Sequence, residues 1–181
     1  MNYTVCGLSD LGTEGKRANC VLSLLDPEWP EISIDGFVSK RLTLRFHDVL
    51  EAAPGFVPPG PEHADEIIRF ADSLKNTGDG PCHLLIHCHA GLSRSPAAML
   101  LVLAKLEPEA DEAALFGRLR GIRPDSWPNS LLVRLGDDAL GRGGRLMEAL
   151  RDHYGHQVRR QPEFIRWMTR LRRVSELEMA R

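Results

Sequence analysis

LLIHCHAGLSRSPAAMLLVLAKL, residues 84–106, is the stretch that decides the fold of this chain of 181 residues. Residues 83–87, HLLIH, have the length of a strand, and their apolar middle predicts a central strand. Residues 95–106 are apolar nearly all round, which predicts a buried helix. That helix opens at Ser95-Pro96, where serine suits the N-cap and proline suits the first turn. Residues 88–94 are therefore predicted to form a loop that lies against a helix N-terminus.

The predicted loop has the composition of an anion site with a reactive group in it. Unpaired backbone N–H groups and the helix dipole attract an anion to a helix N-terminus. Cys88 opens the loop, and a cysteine that faces a helix N-terminus and an arginine has its thiolate stabilised. Arg94 closes the loop, and its planar guanidinium can bind two phosphate oxygens at once. The predicted phosphate-binding residues are His89, Ala90, Gly91, Leu92, Ser93 and Arg94, with Gly91 giving the backbone freedom for the curl.

HCHAGLSRS, residues 87–95, resembles the signature of the protein-tyrosine-phosphatase superfamily, and most of all its dual-specificity and bacterial tyrosine-phosphatase branches. The resemblance extends from about Val21 to Leu106, whereas residues 107–181 carry no usable motif. It implies a phosphatase-like fold and hydrolysis of a phosphate monoester through a cysteinyl-phosphate. The leading substrate by resemblance is phosphotyrosine, and no metal or cofactor is implied.

The resemblance also implies roles for individual residues. Cys88 would be the nucleophile, and Arg94 with the loop N–H groups would stabilise the transferring phosphoryl group. Ser95 would donate a hydrogen bond to the sulfur of Cys88 and help it to leave. His87 would orient the loop without taking a proton.

A general acid upstream of the signature is the remaining requirement, and in the family it is an aspartate at the end of a strand. Asp48 has that position, directly after RLTLRFH, residues 41–47. The proline-rich insertion at residues 53–61 accounts for the wide gap between Asp48 and the signature. Glu51, further into the same loop, is the competing candidate.

The rest of the chain predicts an α/β domain with a mainly parallel sheet of about four or five strands flanked by helices. Strands are predicted at residues 2–6, 20–25 and 41–46, and residues 47–61 predict a long surface loop. The first helices are expected at residues 62–76 and 111–120. The cluster Gly78-Asp79-Gly80-Pro81 is expected to stop the first of them.

The C-terminal part is predicted to be helical, with segments 129–140, 146–153 and 162–179. Nothing in the sequence marks a domain boundary, so residues 1–181 are expected to be a single catalytic domain with a helical extension from about residue 154. The arginine-rich tail is more typical of a solvated helix face than of a docking patch. Its members are Arg159, Arg160, Arg166, Arg170, Arg172 and Arg173.

Composition narrows the class of protein further. The chain is 43% hydrophobic and 27% charged, and its formal net charge of −2 is too small to indicate a nucleic-acid partner or an acidic membrane surface. The sequence predicts neither a signal peptide nor a membrane-spanning run, and the four cysteines form no CxxC pair. A cytoplasmic location is expected, with a phosphorylated protein or a small phosphomonoester as the partner. Oligomeric state stays open.

Several alternatives compete with this interpretation. A catalytically weak phosphopeptide-binding module could use the same loop, and a rhodanese-like sulfurtransferase also places a cysteine at a helix N-terminus, with a shorter loop. A zinc site at His83, His87, Cys88 and His89 is disfavoured because the chain turns there. A regulatory disulfide between Cys82 and Cys88 is a further hypothesis. Substrate choice would depend on wall loops at residues 35–40 and 53–61.

Overall fold

A four-stranded parallel sheet forms the centre of the computed structural model, which describes residues 1–34, 38–75 and 82–181. The strands are β1 (Asn2–Cys6), β2 (Cys20–Leu25), β3 (Lys40–Arg45) and β4 (His83–His87), in the spatial order β1-β4-β2-β3. Each neighbouring pair is parallel. The predicted fold class, strand count and interior position of the fourth strand are confirmed.

Buried apolar residues explain why β2 and β4 lie inside the sheet. Every residue of β2 is buried, as are four of the five residues of β4. A strand that is apolar on both sides needs cover on both faces, which parallel sheets obtain from their crossover helices. Because all four strands run in the same direction, their carboxyl ends meet at one edge, where open α/β sheets bind ligands.

Eight α-helices surround the sheet in the described part of the chain. They are α1 (Leu11–Glu14), α2 (Pro61–Leu74), α3 (Arg94–Leu106), α4 (Glu112–Ile122), α5 (Ser130–Ala139), α6 (Arg145–Arg160), α7 (Glu163–Arg170) and α8 (Val174–Met179). Short 3-10 turns, Leu8–Asp10 and Gly15–Arg17, flank α1. All of these helices are too short or too polar to cross a membrane.

Helix α3 is the centre of the core, as its sequence predicts. All of its residues from Arg94 to Ala104 are buried, and α2, α4 and α5 pack around it. One cluster of buried apolar side chains extends from Val5 in β1 to Met168 in α7. The C-terminal helices therefore share the core of the sheet.

The helices differ from the sequence prediction in three places by more than a residue or two or in their capping. Helix α3 begins at Arg94 after Ser93, so Ser95 is inside the first turn and the predicted N-cap at Ser95 is wrong. Helix α6 continues to Arg160 instead of ending near residue 153, because its buried face continues with Tyr154 and Gln157. The single helix predicted for residues 162–179 is two helices.

The break between α7 and α8 has a local cause. Arg172 has a φ of +57°, a left-handed conformation that ends α7. The N–H of Arg173 returns to the carbonyl of Met168, which is the hydrogen bond that closes a helix C-terminus of this kind. Glycine usually occupies such a position, and its absence here hides the break from sequence analysis.

Two predicted features lie partly or wholly outside the described residues. The Gly78-Asp79-Gly80-Pro81 cluster, expected to stop the helix before it, is outside the described ranges, and the helix itself ends at Leu74. Residues 35–37 of the predicted wall loop at 35–40 are outside them as well.

The hypothesis of a regulatory disulfide between Cys82 and Cys88 is incompatible with this fold. The two cysteines lie at opposite ends of β4, about 20 Å apart at the usual rise of a strand, whereas a disulfide needs Cα atoms within about 7 Å. Cys82 instead donates to Cys20, with a distance of 3.4 Å between the sulfur atoms.

Candidate active site

The carboxyl edge of the sheet brings together two predicted site residues, Asp48 and Cys88, and a third residue, Asp26, that was not predicted. Asp26 directly follows β2, Asp48 lies three residues after β3, and Cys88 directly follows β4. Together with Ser93 and Arg94 they line a pocket of about 260 Å³. Phosphate and the first atoms of its ester group fit a space of this size.

The loop of residues 88–94 turns four of its carbonyl groups outward. The bonds run from Leu8 N to His89 O (2.9 Å), Arg123 Nε to Gly91 O (3.0 Å), Trp127 N to Leu92 O (2.7 Å) and Ala97 N to Ser93 O (3.1 Å). In a trans peptide the N–H group points away from the C=O group of the same peptide unit. The N–H groups of Ala90, Leu92, Ser93 and Arg94 therefore turn into the loop, and successive inward amides of this kind can bind an anion.

Gly91 is required by a close approach as well as by its backbone angles. Its φ is +67°, and a Cβ atom at this position would lie 2.4 Å from the backbone carbon of Cys6. Any other residue would push the loop away from the end of β1. The prediction that Gly91 allows the loop to curl therefore has a steric basis.

Cys88 lies at the base of the pocket beside Ser95. Cys88 is only 2% exposed, and its sulfur lies 3.1 Å from the hydroxyl oxygen of Ser95. Because Ser95 is inside the first turn of α3 and fully buried, its hydroxyl group faces the sulfur instead of capping the helix. This contact has the geometry that the resemblance implies for a hydroxyl donor to a thiolate.

Arg94 is held in place by two acceptors on neighbouring strand ends. Its Nη1 donates to Asp26 Oδ1 and to the carbonyl oxygen of Phe46, each at 2.6 Å. Its Nε is buried, with no hydrogen-bond partner among the described residues. A buried donor without a partner is unfavourable by a few kcal/mol, so this N–H is suited to an oxygen of a bound anion.

Asp26 is a site residue that sequence analysis missed. The signal was present, because Asp26 follows a fully buried strand whose carboxyl end is at the ligand-binding edge of the sheet. In the sequence, Asp26-Pro27 indicates only the end of the strand at residues 20–25. In the structure it also lies 3.5 Å from His89 Nδ1, so it contacts both ends of the loop.

His87 lies beneath the loop and contacts the neighbouring strand. Its Nε2 is 2.7 Å from the hydroxyl oxygen of Ser23 in β2, and the residue is fully buried. Burial lowers the pKa of His87 to about 4, against a smaller opposing effect from the backbone of Cys88. His87 is therefore neutral at neutral pH, in accord with an orienting residue.

Asp48 is surrounded by donors from three separate parts of the chain. Its Oδ1 accepts hydrogen bonds from the Ser93 hydroxyl group (2.7 Å), from Asn129 Nδ2 (2.9 Å) and from Arg173 Nη1 (3.3 Å). The side chain remains one-third exposed, toward the pocket. Asn129 and Arg173 were not predicted as site residues, although the N-cap position of Asn129 is visible in the sequence.

A second, larger cleft of about 700 Å³ adjoins the pocket and shares Asp48, Val49 and Phe56 with it. The loop around Glu51 forms one wall, and residues 171–175 form the other. Glu51 lines this larger cleft, whereas Asp48 lines both spaces. Asp48 therefore lies where the two spaces meet, and a carboxyl group there can exchange a proton with a group that spans both of them.

The histidines near the loop do not converge on one point. His83 pairs with Thr4, His87 with Ser23, and His89 with Asp26. Within the described ranges, the carboxylates of Asp26 and Glu28 and the ring of His47 do come within 4.8 Å of one another. Asp26 already pairs with Arg94, and Glu28, whose side chain is 70% exposed, lies 3.3 Å from His47 Nε2.

This chain is similar to known proteins in its three-dimensional structure. No protein-family model matches the chain, and no curated protein matches it in sequence. The Yvh1 phosphatase domain from Chaetomium thermophilum is similar, with a TM-score of 0.54 and 23% identity over 80% of this chain and 93% of that chain. Human DUSP28 has a TM-score of 0.56 and 15% identity over 78% of this chain and 95% of that chain.

A third similar structure is described as the human tyrosine phosphatase-like serine/threonine/tyrosine-interacting protein. Its TM-score is 0.53, with 17% identity over 75% of this chain and 83% of that chain. At these identities the likeness concerns the fold. The chain therefore has the fold of the dual-specificity and tyrosine phosphatases, and the fold that the signature implied is confirmed.

Proposed function

We propose that this chain is a phosphate-monoester hydrolase of the protein-tyrosine or dual-specificity type, which acts through a cysteinyl-phosphate. The observation that carries the proposal is the pairing of Cys88 and Ser95 at the base of a loop with four inward amides. The buried, unpartnered Nε of Arg94 adds a cationic donor to the same space. A doubly charged tetrahedral anion complements this set of donors.

The first step transfers the phosphoryl group to sulfur. The amides of the loop and Arg94 bind the non-bridging oxygens, where charge is stabilised during transfer. The thiolate of Cys88 attacks phosphorus in line, the S–P bond forms, and the bond from phosphorus to the ester oxygen breaks. Asp48, in its protonated form, gives its proton to the departing oxygen, which leaves as an alcohol or a phenol.

The second step returns the enzyme to its starting state. Asp48, now a carboxylate, takes a proton from a water molecule that attacks phosphorus. The P–S bond breaks, inorganic phosphate forms, and the sulfur leaves as a thiolate that accepts a hydrogen bond from Ser95. The neutral His87 exchanges no proton in either step.

The shape of the site supports a phosphorylated side chain or a small phosphomonoester as substrate. Phe56, which is half exposed, stands on the rim shared by the pocket and the larger cleft, and an aromatic ester group could pack against it. Phosphotyrosine is the substrate that we propose on this basis. The need for a reduced thiol at Cys88 suits a reducing compartment such as the cytoplasm.

A phosphate-binding module without turnover is the second candidate, because one similar structure is described as a phosphatase-like interacting protein. This chain, however, retains a cysteine, an arginine and an aspartate at the pocket, each with partners that suit a chemical step. Loss of one of these residues would be expected in a pure binding module.

Replacement of the nucleophile tests the proposal. Cys88→Ser should reduce turnover of p-nitrophenyl phosphate by about 10⁴-fold or more, since a catalytic nucleophile has no substitute. The variant should still bind vanadate and should trap phosphotyrosine peptides. Cys82→Ser is the matched control, because it alters a buried thiol at the far end of β4 and should retain turnover. Wild-type activity in Cys88→Ser would refute the proposal, and a wild type that binds vanadate without turnover would favour the binding module.

A further inference from the structure

Arg173 is buried at the site although it comes from the part of the chain without a motif. It lies between α7 and α8, and only 5% of the residue is exposed. The other five arginines of the tail are exposed, as predicted. The interpretation of the whole tail as a solvated face is therefore wrong at this one residue, and a buried guanidinium requires an explanation.

One end of Arg173 contacts the candidate general acid directly. Its Nη1 lies 3.3 Å from both carboxylate oxygens of Asp48. The same nitrogen donates to the hydroxyl oxygen of Ser93, which in turn donates to Asp48 Oδ1. The guanidinium thus holds the carboxyl group directly and also through a residue of the phosphate-binding loop.

The other end of Arg173 is anchored by Glu176. Arg173 Nε and Nη2 donate to the two oxygens of Glu176 at 2.7 and 2.8 Å, a bidentate pair that fixes the guanidinium plane. Glu176 is fully buried. Its remaining donors are Trp127 Nε1 (2.8 Å), the Ser130 backbone N–H (2.8 Å) and the Tyr154 hydroxyl group (3.0 Å).

The charges of this group compensate one another. Burial lowers the pKa of Arg173, but the carboxylates of Asp48 and Glu176 outweigh burial and raise that pKa above its ordinary value. A buried ion pair needs further hydrogen bonds on its charged groups to offset the loss of solvation, and Glu176 accepts three besides those from Arg173. The pair is therefore a rigid support, and Asp48 is the group at its solvent-facing end.

We propose that Arg173 is the positioning residue for the general acid Asp48, and that the segment 171–176 thereby completes the active site. The proposal rests on the proposed phosphatase function. Ser93 and Asn129 hold Oδ1 from the loop side and the helix side, while Arg173 Nη1 lies 3.3 Å from both oxygens. These contacts together restrict rotation of the carboxyl group, so that a carboxyl oxygen faces the ester oxygen of the substrate.

The proposal predicts that the effect of losing Arg173 on the rate depends on the leaving group of the substrate. A poor leaving group needs its proton in the transition state, whereas a good one departs without it. Loss of Arg173 should therefore slow poor leaving groups selectively. A displacement of about 1 Å at a catalytic group can decrease the rate by about 10²-fold, which sets the scale of the effect.

The experiment compares phenyl phosphate, a poor leaving group, with 2,4-dinitrophenyl phosphate, a good one. The test variant is Arg173→Lys, which keeps the charge but cannot bind Glu176 and Asp48 in one plane. Arg173→Met combined with Glu176→Gln removes both charges together, so that no buried carboxylate is left unpaired. Arg170→Lys, at an exposed arginine of α7, is the matched control.

In both test variants kcat for phenyl phosphate should fall about 10- to 100-fold, with less than about threefold change for the dinitrophenyl ester. Far-UV circular dichroism and vanadate affinity should stay as in the wild type. An equal loss with both esters would overturn the proposal, since it would make Arg173 purely structural. No loss with either ester would overturn it too.

A double-mutant cycle with Asp48→Asn completes the test. If Arg173 acts through Asp48, the Arg173→Lys effect on phenyl phosphate should shrink to less than about twofold in the Asp48→Asn background. An undiminished effect in that background would contradict the positioning role. The wild type and Cys88→Ser, measured with the same esters, separate this outcome from failure of the phosphatase function itself.

Discussion

The two sides of the pocket are built in opposite ways. On the nucleophile side, Cys88, Arg94 and Ser95 come from one segment, and the loop between them provides the amides. On the acid side, Asp48 takes its partners from Ser93 and from positions as far as 125 residues away. The reacting groups of the first side are contiguous in sequence, although distant residues such as Asp26 and Trp127 hold them in place. The groups of the second side are brought together only when the chain folds.

This difference decides what a variant can disturb. The nucleophile side depends on peptide geometry that the strand, the loop and the helix N-terminus impose together. The acid side depends on the docking of α5 and of the segment between α7 and α8. Changes in the C-terminal helices should therefore reach catalysis through the acid, and the following predictions test that separation.

Asp48→Asn should give the largest effect on the acid side. We expect kcat for phenyl phosphate to fall about 10²- to 10⁴-fold, because asparagine keeps the hydrogen-bonding shape but carries no acidic proton. The value of kcat for the dinitrophenyl ester should fall far less. Steady-state kinetics with the two esters measures the contrast.

Glu51→Gln is the control for this assignment, because Glu51 lines the larger cleft without the contacts that Asp48 makes to the loop. It should retain turnover of both esters within about threefold. If Glu51→Gln showed the leaving-group dependence and Asp48→Asn did not, the acid would be misassigned.

The same contrast explains what could be predicted from the sequence. Strands β1, β2 and β4 and the loop with Cys88 follow from apolar runs and a contiguous motif, and they were predicted almost to the residue. Asn129 and Arg173 carry no signal for the site, because an arginine in a tail of arginines looks the same whether buried or exposed. The break at Arg172 was missed for a related reason, since left-handed backbone there is not marked by glycine.

Unfolding at acid pH should test whether two regions of the protein, the nucleophile side with His87 and the C-terminal helices with His153, unfold together. His87 lies under the nucleophile loop and His153 lies in α6, and burial lowers the pKa of each to about 4 from an ordinary 6.5. The unfolded chain binds protons at pH 5 that the folded chain excludes, so stability is full above pH 6.5 and falls toward pH 4. Between pH 7 and pH 5, each histidine should decrease the free energy of unfolding by about 2 kcal/mol.

Urea unfolding of the wild type, His87→Gln and His153→Gln at the two pH values measures this loss. Each of the first two variants should lose about 2 kcal/mol of the pH-dependent change in the free energy of unfolding if the two regions unfold as one unit, while the exposed His156→Gln should lose much less. Two separate transitions, each sensitive to one histidine, would show instead that the two regions unfold independently.

Asp26→Asn should give a smaller loss of turnover than Asp48→Asn and should separate the two sides most clearly. Asparagine keeps an acceptor for Arg94 Nη1 but removes the charge that strengthens this hydrogen bond, so the guanidinium is held less firmly. Because Arg94 would contact the phosphoryl group common to all substrates, kcat should fall about tenfold for phenyl and dinitrophenyl esters alike. A loss confined to the phenyl ester would mean that Asp26, which lines the same pocket, is the proton donor, and Asp48 would then lose that role.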